Sequence, residues 1–393
     1  MNILLLSGYD ADSHKHWRKS LVRSFPLYSW TVLSLPARHF SWRIRGNSLS
    51  WGRGEKELLA GDYDLLIATS MVDLATLRGI APRLSSIAAV LYFHENQFAY
   101  PASAHQKYPL EPKMVNLYAA LSAEILVFNT RYNQDSFLQG VEALLEKLPD
   151  AVPDGIVDEL SAKARVIPVA LDDAAFFSRL PRKKVGPINV LWNHRWEYDK
   201  GPEKLLGILE CLPQHMNIRV HIVGRQFRQV PKAFDDIAVL IKARGWQGEW
   251  GFIDEPRDYQ SLLKNSDLVL STALHDFQGL SVLEAVAAGC IPIVPDRLAY
   301  TELFSAAYRY RSQYSFSRPE THGKLLAESE DAARHIVQHV SEIAAGTPVL
   351  PPDIEFLSCS RLTQAYKQLI CEAAAITSAA GADAKRLVVE KLI

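Results

Sequence analysis

Short apolar runs alternate with helical stretches from one end of this 393-residue chain to the other. The runs are four to seven residues long and rich in Val, Ile and Leu, which is typical of parallel strands buried on both faces. Parallel strands need a crossover helix between them, so the pattern predicts α/β units. The alternation occurs in two series. We therefore predict two Rossmann-like, doubly wound parallel-sheet domains that face a cleft.

The predicted strands number eleven. They cover residues 2–7, 30–34, 64–69, 88–94, 125–129, 165–169, 188–193, 218–224, 249–252, 268–272 and 291–295. Between the two series, residues 177–187 combine two prolines, a glycine and a basic cluster, which is typical of a linker. The domains are predicted at 1–181 and 182–346. Residues 347–393 supply a C-terminal helix, predicted at 356–375, and a tail.

Composition narrows the class of protein. The net charge is −1, which excludes a globally basic nucleic-acid coat but allows a local basic patch. The four cysteines form no C-x-x-C pair, so a disulfide framework or a structural zinc site is not expected. The first residues read as a strand rather than a signal peptide, and no apolar run is long enough to span a membrane. We expect a cytoplasmic enzyme with no membrane partner.

Ligands of open parallel sheets bind at the carboxyl ends of the strands, which draws attention to the loop after residues 188–193. Arg195 and Lys200 lie there, five positions apart. A guanidinium fork and an ammonium together suit a diphosphate. The alternative is a surface salt-bridge cluster with Glu197 and Asp199.

A second loop follows the strand at 268–272. Gly279 opens an apolar helix whose first N–H groups, at Gly279, Leu280 and Ser281, favour a phosphate. Asp276 lies in the loop and Glu284 in the helix, eight residues apart. The alternative is a strand–helix–strand unit with an incidental acid pair.

Four polar residues, His94, Glu95, Asn96 and Gln97, follow the strand at 88–94. They are expected to point into the cleft. Position 98 is Phe, so the string does not match the H-E-x-x-H zinc template. His14 and His16 also make a poor metal pair, and no metal is expected.

The first 51 residues contain four tryptophans interleaved with arginines, among them Arg43 and Arg45. Aromatics between arginines suit stacking on bases and contact with phosphates. The alternative is ordinary packing with a solvated rim.

Together the two C-terminal motifs resemble the donor half of glycosyltransferase family 4, which has the GT-B fold. Arg195 and Lys200 match its Arg…Lys pair, and Asp276 with Glu284 match its E-x7-E motif with Asp for the first Glu. The resemblance implies that Arg195, Lys200, Gly279, Leu280 and Ser281 bind the donor diphosphate. It further implies that Glu284 binds the ribose, that Ile253 lies at the base, and that Asp276 and His94 are catalytic.

The segments Tyr92–Pro101 (YFHENQFAYP), 34–46 and 128–137 resemble the N-terminal domain of the tRNA-queuosine mannosyltransferases. That family has Gly-Gly before Ser-His in its first loop, where this chain reads Asp10-Ala-Asp before Ser13 and His14. The resemblance implies that Ser13 and His14 lie at the donor. It places Glu95, Asn96, Gln97, Arg43 and Arg45 at the acceptor.

The resemblance implies retaining transfer of a mannosyl group from GDP-mannose to queuosine in tRNA, with no cofactor or metal. The implied partners are a nucleotide sugar and a queuosine-containing tRNA. The alternatives are a family 4 enzyme with another donor sugar or a lipid or glycan acceptor, a GT-B-like epimerase or phosphorylase, and an inert tRNA-binding module. The GT-B fold also implies that the C-terminal helix returns to the first domain.

Overall fold

The computed structural model describes residues 1–100, 110–177, 186–227, 229–312 and 322–390, with side chains described for 325–379 of the last range. Contacts divide the chain into an N-terminal unit, Met1–Ala170 with Cys359–Ile393, and a C-terminal unit, Leu171–Ser358. Three predicted features lie largely or wholly outside the described residues: the linker at 177–187, the boundary after residue 181 and the last three residues of the tail.

The N-terminal unit contains a sheet whose six described strands pair in parallel. They are β1 (Asn2–Asp10), β2 (Ser29–Pro36), β3 (Leu65–Thr69), β4 (Ala89–Phe93), β5 (Ile125–Phe128) and β6 (Ala164–Val166). The spatial order is β2-β1-β3-β4-β5-β6. Strands β3, β4 and β5 are buried along their whole length, which explains their continuous apolar sequence.

Helices connect these strands. They are α1 (Asp12–Ser24), α2 (Phe40–Gly54), α3 (Lys56–Leu59), α4 (Leu74–Ile80), α5 (Leu110–Leu121), α6 (Arg131–Leu145) and α7 (Ile156–Ala162). Two of them begin at side-chain caps: Asp73 accepts from the N–H of Thr76, and Thr130 from that of Asn133. Such caps satisfy N–H groups that the helix itself leaves without partners.

The C-terminal unit contains a second parallel sheet. Its described strands are β7 (Ile188–Trp192), β8 (Ile218–Val223), β9 (Gln247–Gly251), β10 (Leu268–Leu270), β11 (Ile291–Pro295) and β12 (Arg309–Tyr310), in the order β12-β11-β10-β7-β8-β9. The helices are α8 (Pro202–Cys211), α9 (Ala233–Ala243), α10 (Pro256–Asn265), α11 (Leu280–Ala287), α12 (Tyr300–Leu303) and α13 (His322–Ala345). Helix α14 (Cys359–Glu390) is part of the N-terminal unit.

Each sheet has one point where the strand order reverses. In the N-terminal unit it lies between β1 and β3, and in the C-terminal unit between β7 and β10. Ligands of doubly wound sheets bind at the carboxyl ends of the strands beside this point. The loop after β7 carries Arg195 and Lys200, and the loop after β10 carries Asp276.

Each of the eleven predicted strands overlaps a strand of the structure, with ends that differ by up to three residues, so the expected series of doubly wound units is confirmed. The sequence missed β12, because two paired residues leave no apolar run to detect. The predicted helix at 356–375 begins at Cys359 and continues to Glu390. Among the described residues, no helix is both long and apolar enough to cross a bilayer.

Candidate functional site

The loop after β7 brings two cations and two carboxylates into direct contact. A guanidinium nitrogen of Arg195 lies 2.6 Å from Glu197 and another lies 3.2 Å from Asp199. Lys200 Nζ lies 3.5 Å from Asp199 Oδ2. The side chains of Lys200 and Asp199 are only 8% and 2% exposed. The salt bridges foreseen as an alternative are therefore present, but half of this cluster is buried rather than at the surface.

The loop after β10 completes the cluster. Lys200 Nζ donates to the carbonyl oxygen of His275 at 2.7 Å and to Asp276 Oδ1 at 3.2 Å. Thr272 Oγ1 donates to the carbonyl oxygen of Lys200 at 2.7 Å. These bonds hold the two loops of the switch point in one fixed arrangement. We call Arg195, Glu197, Asp199, Lys200 and Asp276 the charged cluster.

Two glycines permit this close approach. Gly201 has a φ of +64°, and a Cβ there would collide with the carbonyl oxygen of Thr272. Gly279, at the N-cap of α11, has a φ of +72°, and a Cβ would lie 2.9 Å from the ring of Tyr300. Left-handed backbone without a side chain is the ordinary use of glycine.

Both carboxylate oxygens of Asp276 have partners inside the protein. Lys200 contacts Oδ1, and the Tyr300 hydroxyl donates to Oδ2 at 2.8 Å. Tyr300 Oη also lies 2.9 Å from Ser271 Oγ, which lies 3.1 Å from His194 Nε2. A continuous polar chain thus connects the loop after β7 to the charged cluster through α12.

Charge balance keeps the buried carboxylates ionised. Burial acts to raise the pKa of Asp276, but Lys200, His194 and the Tyr300 hydroxyl together outweigh it, and the pKa lies below its usual value. The pKa of Asp199 is lowered in the same way, with burial outweighed by Lys200 and Arg195. Burial lowers the pKa of His194 to about 4 and that of His275 to about 3. At neutral pH both imidazoles are therefore uncharged.

Glu284 lies on the half-buried face of α11. The neighbouring Tyr259 of α10 has its pKa raised by burial and by the Glu284 carboxylate. Asn193 Nδ2 donates to Tyr259 Oη at 3.0 Å and to the carbonyl oxygen of Ser281 at 2.7 Å. A carboxylate, a phenol and an amide thus meet at the start of α11.

The first turn of α11 contains Leu280 and Ser281, both half-buried, after the N-cap Gly279. The first N–H groups of a helix have no acceptor within it, and the helix dipole there favours an anion. These three residues form the start of the helix, as the sequence predicted, and in sequence they closely follow Asp276 of the charged cluster.

Ile253 lies on another loop of the same sheet. It follows β9, the outer strand of the sheet, which β8 separates from β7. Ile253 lines a cavity of about 790 Å³ together with Phe252 and Glu249.

In the N-terminal unit, His94 follows β4 and is enclosed by rings. It stacks on His14 with ring centroids 4.1 Å apart, and it contacts Trp17 at 5.0 Å and Tyr92 at 4.7 Å. Tyr366 of α14 accepts a hydrogen bond from Trp17 Nε1 at 3.0 Å and lies 3.2 Å from Tyr92 Oη. The C-terminal helix therefore holds the walls of the His94 pocket.

Burial sets the charge of this histidine pair. It lowers the pKa of His14 to about 4, and it lowers the pKa of His94 far below its usual value, with His14 adding to the effect. Two neutral imidazoles can stack without charge repulsion. A neutral imidazole offers one hydrogen-bond donor and one acceptor.

The residues after His94 are not equivalent. Asn96 is fully buried, and its Oδ1 accepts from the N–H groups of Phe98 and Ala99 at 3.0 and 2.9 Å. The N–H of Gln97 donates to Asn116 Oδ1 at 2.9 Å, whereas the side chain of Glu95 is half-buried. Asn96 thus shapes the turn from inside it.

Ser13, Arg43 and Arg45 lie on two other helices. Ser13 is half-buried in the first turn of α1, and Arg43 is half-buried on α2. Arg45 pairs with Asp73 at 2.7 Å and with Glu111 at 3.3 Å. Of the predicted N-terminal residues, the structure brings His94 and His14 into contact.

Several polar residues escaped the sequence reading. Tyr300 contacts Asp276 of the charged cluster. Tyr259 lies next to Glu284 and accepts a hydrogen bond from Asn193. The sequence did not single out these residues, because they are distant in sequence or lie outside the motifs. Asn193 alone had a signal, since it stands at the carboxyl end of β7. Across the described ranges, no group of three or more His, Cys, Asp or Glu residues is arranged to hold a metal ion.

Both halves of the chain match known families. Residues 2–171 match a family model described as tRNA-queuosine alpha-mannosyltransferase N-terminal, and residues 176–322 match one described as Glycosyl transferases group 1. A tRNA-queuosine alpha-mannosyltransferase of Drosophila melanogaster is 28% identical over 332 residues, or 81% of this chain and 85% of that protein. These matches confirm the family resemblance read from the motifs.

Solved structures with the same fold include Anabaena HepE in complex with UDP and glucose, at 16% identity and a TM-score of 0.63 over 95% of this chain and 100% of that one. WaaG, a glycosyltransferase involved in lipopolysaccharide biosynthesis, is 12% identical with a TM-score of 0.58 over 93% of this chain and 99% of that one. At these identities the likeness concerns the fold, and it confirms the predicted GT-B class.

Proposed function

We propose that this protein, whose residues 176–322 match the group 1 glycosyltransferases and which has the GT-B fold, transfers a mannosyl group from GDP-mannose to queuosine in a tRNA. The anomeric configuration is retained, and the reaction takes place in the cytoplasm. The observation that carries this proposal is the charged cluster at the switch point of the second sheet. The likeness of residues 2–171 to the queuosine mannosyltransferases supports the acceptor.

The donor diphosphate is held by Arg195, Lys200 and the N-terminus of α11. Negative charge grows on the diphosphate as it leaves, so cations and N–H dipoles already fixed in place stabilise the transition state more than the ground state. Lys200 suits this role because its bonds to His275 and Asp276 fix Nζ before the donor arrives. Removing one such contact typically lowers turnover by about 10²–10³-fold.

Asp276 faces the positive charge that develops on the sugar ring. Its bonds to Lys200 and Tyr300 hold the carboxylate ionised and in one orientation. His94, as a neutral imidazole, donates to a sugar hydroxyl without adding charge. In this proposal Ser13 and His14 also contact the donor.

The nucleoside part of the donor is held by the remaining C-terminal residues. Glu284 accepts from the ribose hydroxyls, supported by Tyr259 and Asn193. Ile253 packs against the base. The acceptor is held by Glu95, Gln97, Arg43 and Arg45, with Asn96 shaping the turn that carries the first two.

In the transfer step, the bond from the sugar C1 to the diphosphate oxygen breaks and a bond from C1 to the acceptor oxygen forms on the same face. The acceptor proton passes to the departing phosphate oxygen. No separate protein base is then required. Two protein cations supply the positive charge, so the mechanism uses no metal ion, and we expect EDTA to leave the rate unchanged. A loss of rate that added Mg²⁺ restores would contradict this part of the proposal.

The test is nucleoside mass spectrometry of queuosine-containing tRNA after incubation with the protein and GDP-mannose. We expect queuosine one hexose heavier, formed at least about 100-fold more slowly by the Lys200→Met variant. Unchanged queuosine with donor binding intact would overturn the tRNA acceptor and favour a family 4 enzyme with a lipid or glycan acceptor. Donor hydrolysis without a glycosylated product would favour epimerase-like or phosphorylase-like chemistry. Tight tRNA binding without donor binding would indicate an inert tRNA-binding module.

A further inference from the structure

The four tryptophans of the first 51 residues have different environments. Trp17 and Trp51 are buried in the core, and Trp30 is half-buried with its indole N–H donating to the carbonyl oxygen of Phe25 at 3.1 Å. Trp42, on α2, is 51% exposed. The aromatic–arginine interleaving seen in the sequence therefore presents one tryptophan ring to a partner, namely Trp42.

A glycine positions this ring. Gly46 lies one helical turn after Trp42, and a Cβ at Gly46 would run into the indole, 2.6 Å from its Cδ2 and Cζ2 atoms. The absent side chain lets the indole lie against the helix backbone. The outer face of the ring is then presented to solvent in a fixed orientation.

Trp42 belongs to a stripe on the exposed face of α2. Arg45, Leu49 and Arg53 follow it at helical spacing, and all three are exposed. Residues three or four apart lie on the same side of a helix. Arg38 and His39, both exposed, extend the stripe before the helix begins. We call these residues with Trp42 the α2 surface.

The charge of the α2 surface has one sign. Residues 37–54 contain four arginines and one histidine and no Asp or Glu, in a chain whose net charge is −1. Arg45 is anchored by Asp73 and Glu111. Within the described residues no ion pair involves Arg38 or Arg53. Such a surface favours a polyanion.

The α2 surface also lies at the functional edge of the first sheet. The ring of Phe40 contacts Tyr9, near the end of β1, with centroids 6.0 Å apart. Asn47 Nδ2 donates to the carbonyl oxygen of Met71, and Asn47 Oδ1 accepts from the N–H of Asp73, at 3.0 and 3.1 Å. Both Met71 and Asp73 follow β3. Helix α2 thus contacts the end of β1 and the loop after β3, on the two sides of the N-terminal switch point.

We infer that the α2 surface docks single-stranded RNA, with an unpaired base stacked on Trp42, a neighbouring phosphate on Arg38 and a phosphate further along the strand on Arg53, about three helical turns from Trp42. This inference rests on the proposed function, in which the acceptor nucleoside is part of a tRNA. A flat aromatic ring between cations stacks on any base and neutralises the backbone. Residues 37–54 contribute no carboxylate to the surface, and the nearby Asp73 and Glu111 are paired with Arg45.

The experiment measures binding of a fluorescently labelled tRNA stem–loop with unpaired bases and of an RNA duplex without a loop. We expect Trp42→Ala to weaken stem–loop binding by about tenfold or more, the usual size of one base–aromatic stack. Duplex binding should change little. Trp42→Phe should retain most of the affinity, and Leu27→Ala should retain all of it. Leu27 is 94% exposed and precedes β2, at the opposite edge of the sheet.

A second variant tests the position of the ring. Gly46→Ala keeps the indole but displaces it, and alanine favours the helix. We expect it to weaken stem–loop binding without lowering the melting temperature. Arg38→Ala with Arg53→Ala should flatten the dependence of log affinity on log salt, by about 0.7 for each phosphate that the protein no longer neutralises.

The outcomes separate this inference from the proposed function. If Trp42→Ala binds the stem–loop as tightly as the parent protein, the inferred RNA surface is overturned. Hexose transfer is measured in a separate assay, and this result would not affect it. Equal losses for stem–loop and duplex would also overturn it, because a stacking platform discriminates unpaired bases. Trp42-dependent RNA binding by a protein that transfers no hexose would support the surface and refute the proposed function. If Trp42→Ala loses binding to anionic lipid vesicles but binds RNA like the parent, the surface binds a membrane and the inference is overturned.

Discussion

The hydroxyl of Tyr300 donates a hydrogen bond to Asp276 Oδ2 at 2.8 Å, across 24 residues of sequence. Lys200 contacts the other oxygen of the same carboxylate. The family 4 motif that this segment resembles has Glu where this chain has Asp276. The shorter Asp side chain here is fixed at both oxygens, which leaves little freedom for the carboxylate to reorient.

Replacing Tyr300 with Phe removes the hydroxyl and keeps the ring. A hydrogen bond to a charged group contributes about 1.5–3 kcal/mol, so we expect kcat to fall by about 10–100-fold with a smaller change in the donor KM. The pKa of Asp276 should rise, because the hydroxyl helps to lower it. The acidic limb of the rate profile should therefore move to higher pH.

The control for this variant is Tyr308→Phe, since the Tyr308 hydroxyl donates to the carbonyl oxygen of Leu350 in the same unit. It should keep the parent rate and profile. A Tyr300→Phe enzyme with a parent pH profile would remove Tyr300 from the positioning of Asp276.

Replacing Lys200 with Met should affect both rate and stability. The ammonium proposed to hold the donor is lost, and the carboxylates of Asp199 and Asp276 lose their positive partner. We expect the rate to fall by about 10²-fold or more and the free energy of unfolding to fall by about 3–5 kcal/mol. Adding Asp199→Asn should restore part of the stability but not the rate.

Lys204→Met is the matched control, because Lys204 is buried in the same unit and pairs with Glu328 at 3.1 Å. It should lower stability in the same way and keep the rate below its unfolding temperature. If Lys204→Met and Lys200→Met lose activity equally, the effect is one of folding and the diphosphate assignment is wrong.

Glu284→Gln tests the ribose contact. The amide keeps the shape but loses the charge that strengthens hydrogen bonds to hydroxyls. We expect about tenfold weaker binding of GDP by calorimetry, the size of a charged hydrogen bond. Glu203→Gln, at an exposed position in α8, should bind GDP like the parent. Unchanged affinity in Glu284→Gln would exclude Glu284 from the donor site.

The buried histidines predict how stability depends on pH. His14 and His194 have folded pKa values of about 4, whereas an unfolded histidine titrates near 6.5. Between these values the unfolded chain binds more protons, so stability is full above about pH 6.5 and falls as the pH drops towards 4. Each such histidine costs on the order of 2 kcal/mol at pH 5.

Urea unfolding at pH 7 and pH 5 measures this dependence. His14→Gln should reduce the difference between the two conditions, because one buried titrating group is gone. His215→Gln, at an exposed site, should leave the difference as in the parent. A parent protein equally stable at both values would contradict the burial of the neutral imidazoles.

The sequence by itself determined the strands, their parallel pairing and the ends at which functional side chains stand. Strands buried on both faces must be apolar throughout, so β1, β3 and β7 can be recognised from the sequence alone. Arg195 and Lys200 are close in sequence because they belong to one loop. Asp276 and Glu284 are close because they belong to a loop and the helix that follows it. Spacing was enough to find them.

Only the tertiary structure decided which side chains share these sites and in what state. Tyr300 reaches Asp276 from α12, Tyr366 reaches Trp17 from α14, and neither contact follows any periodicity. Burial cannot be read for single residues either: Trp42 and Trp51 look alike in sequence, but one is exposed and the other is in the core. Long-range packing sets exposure and charge partners, and these in turn set the pKa of each group and its availability to a ligand.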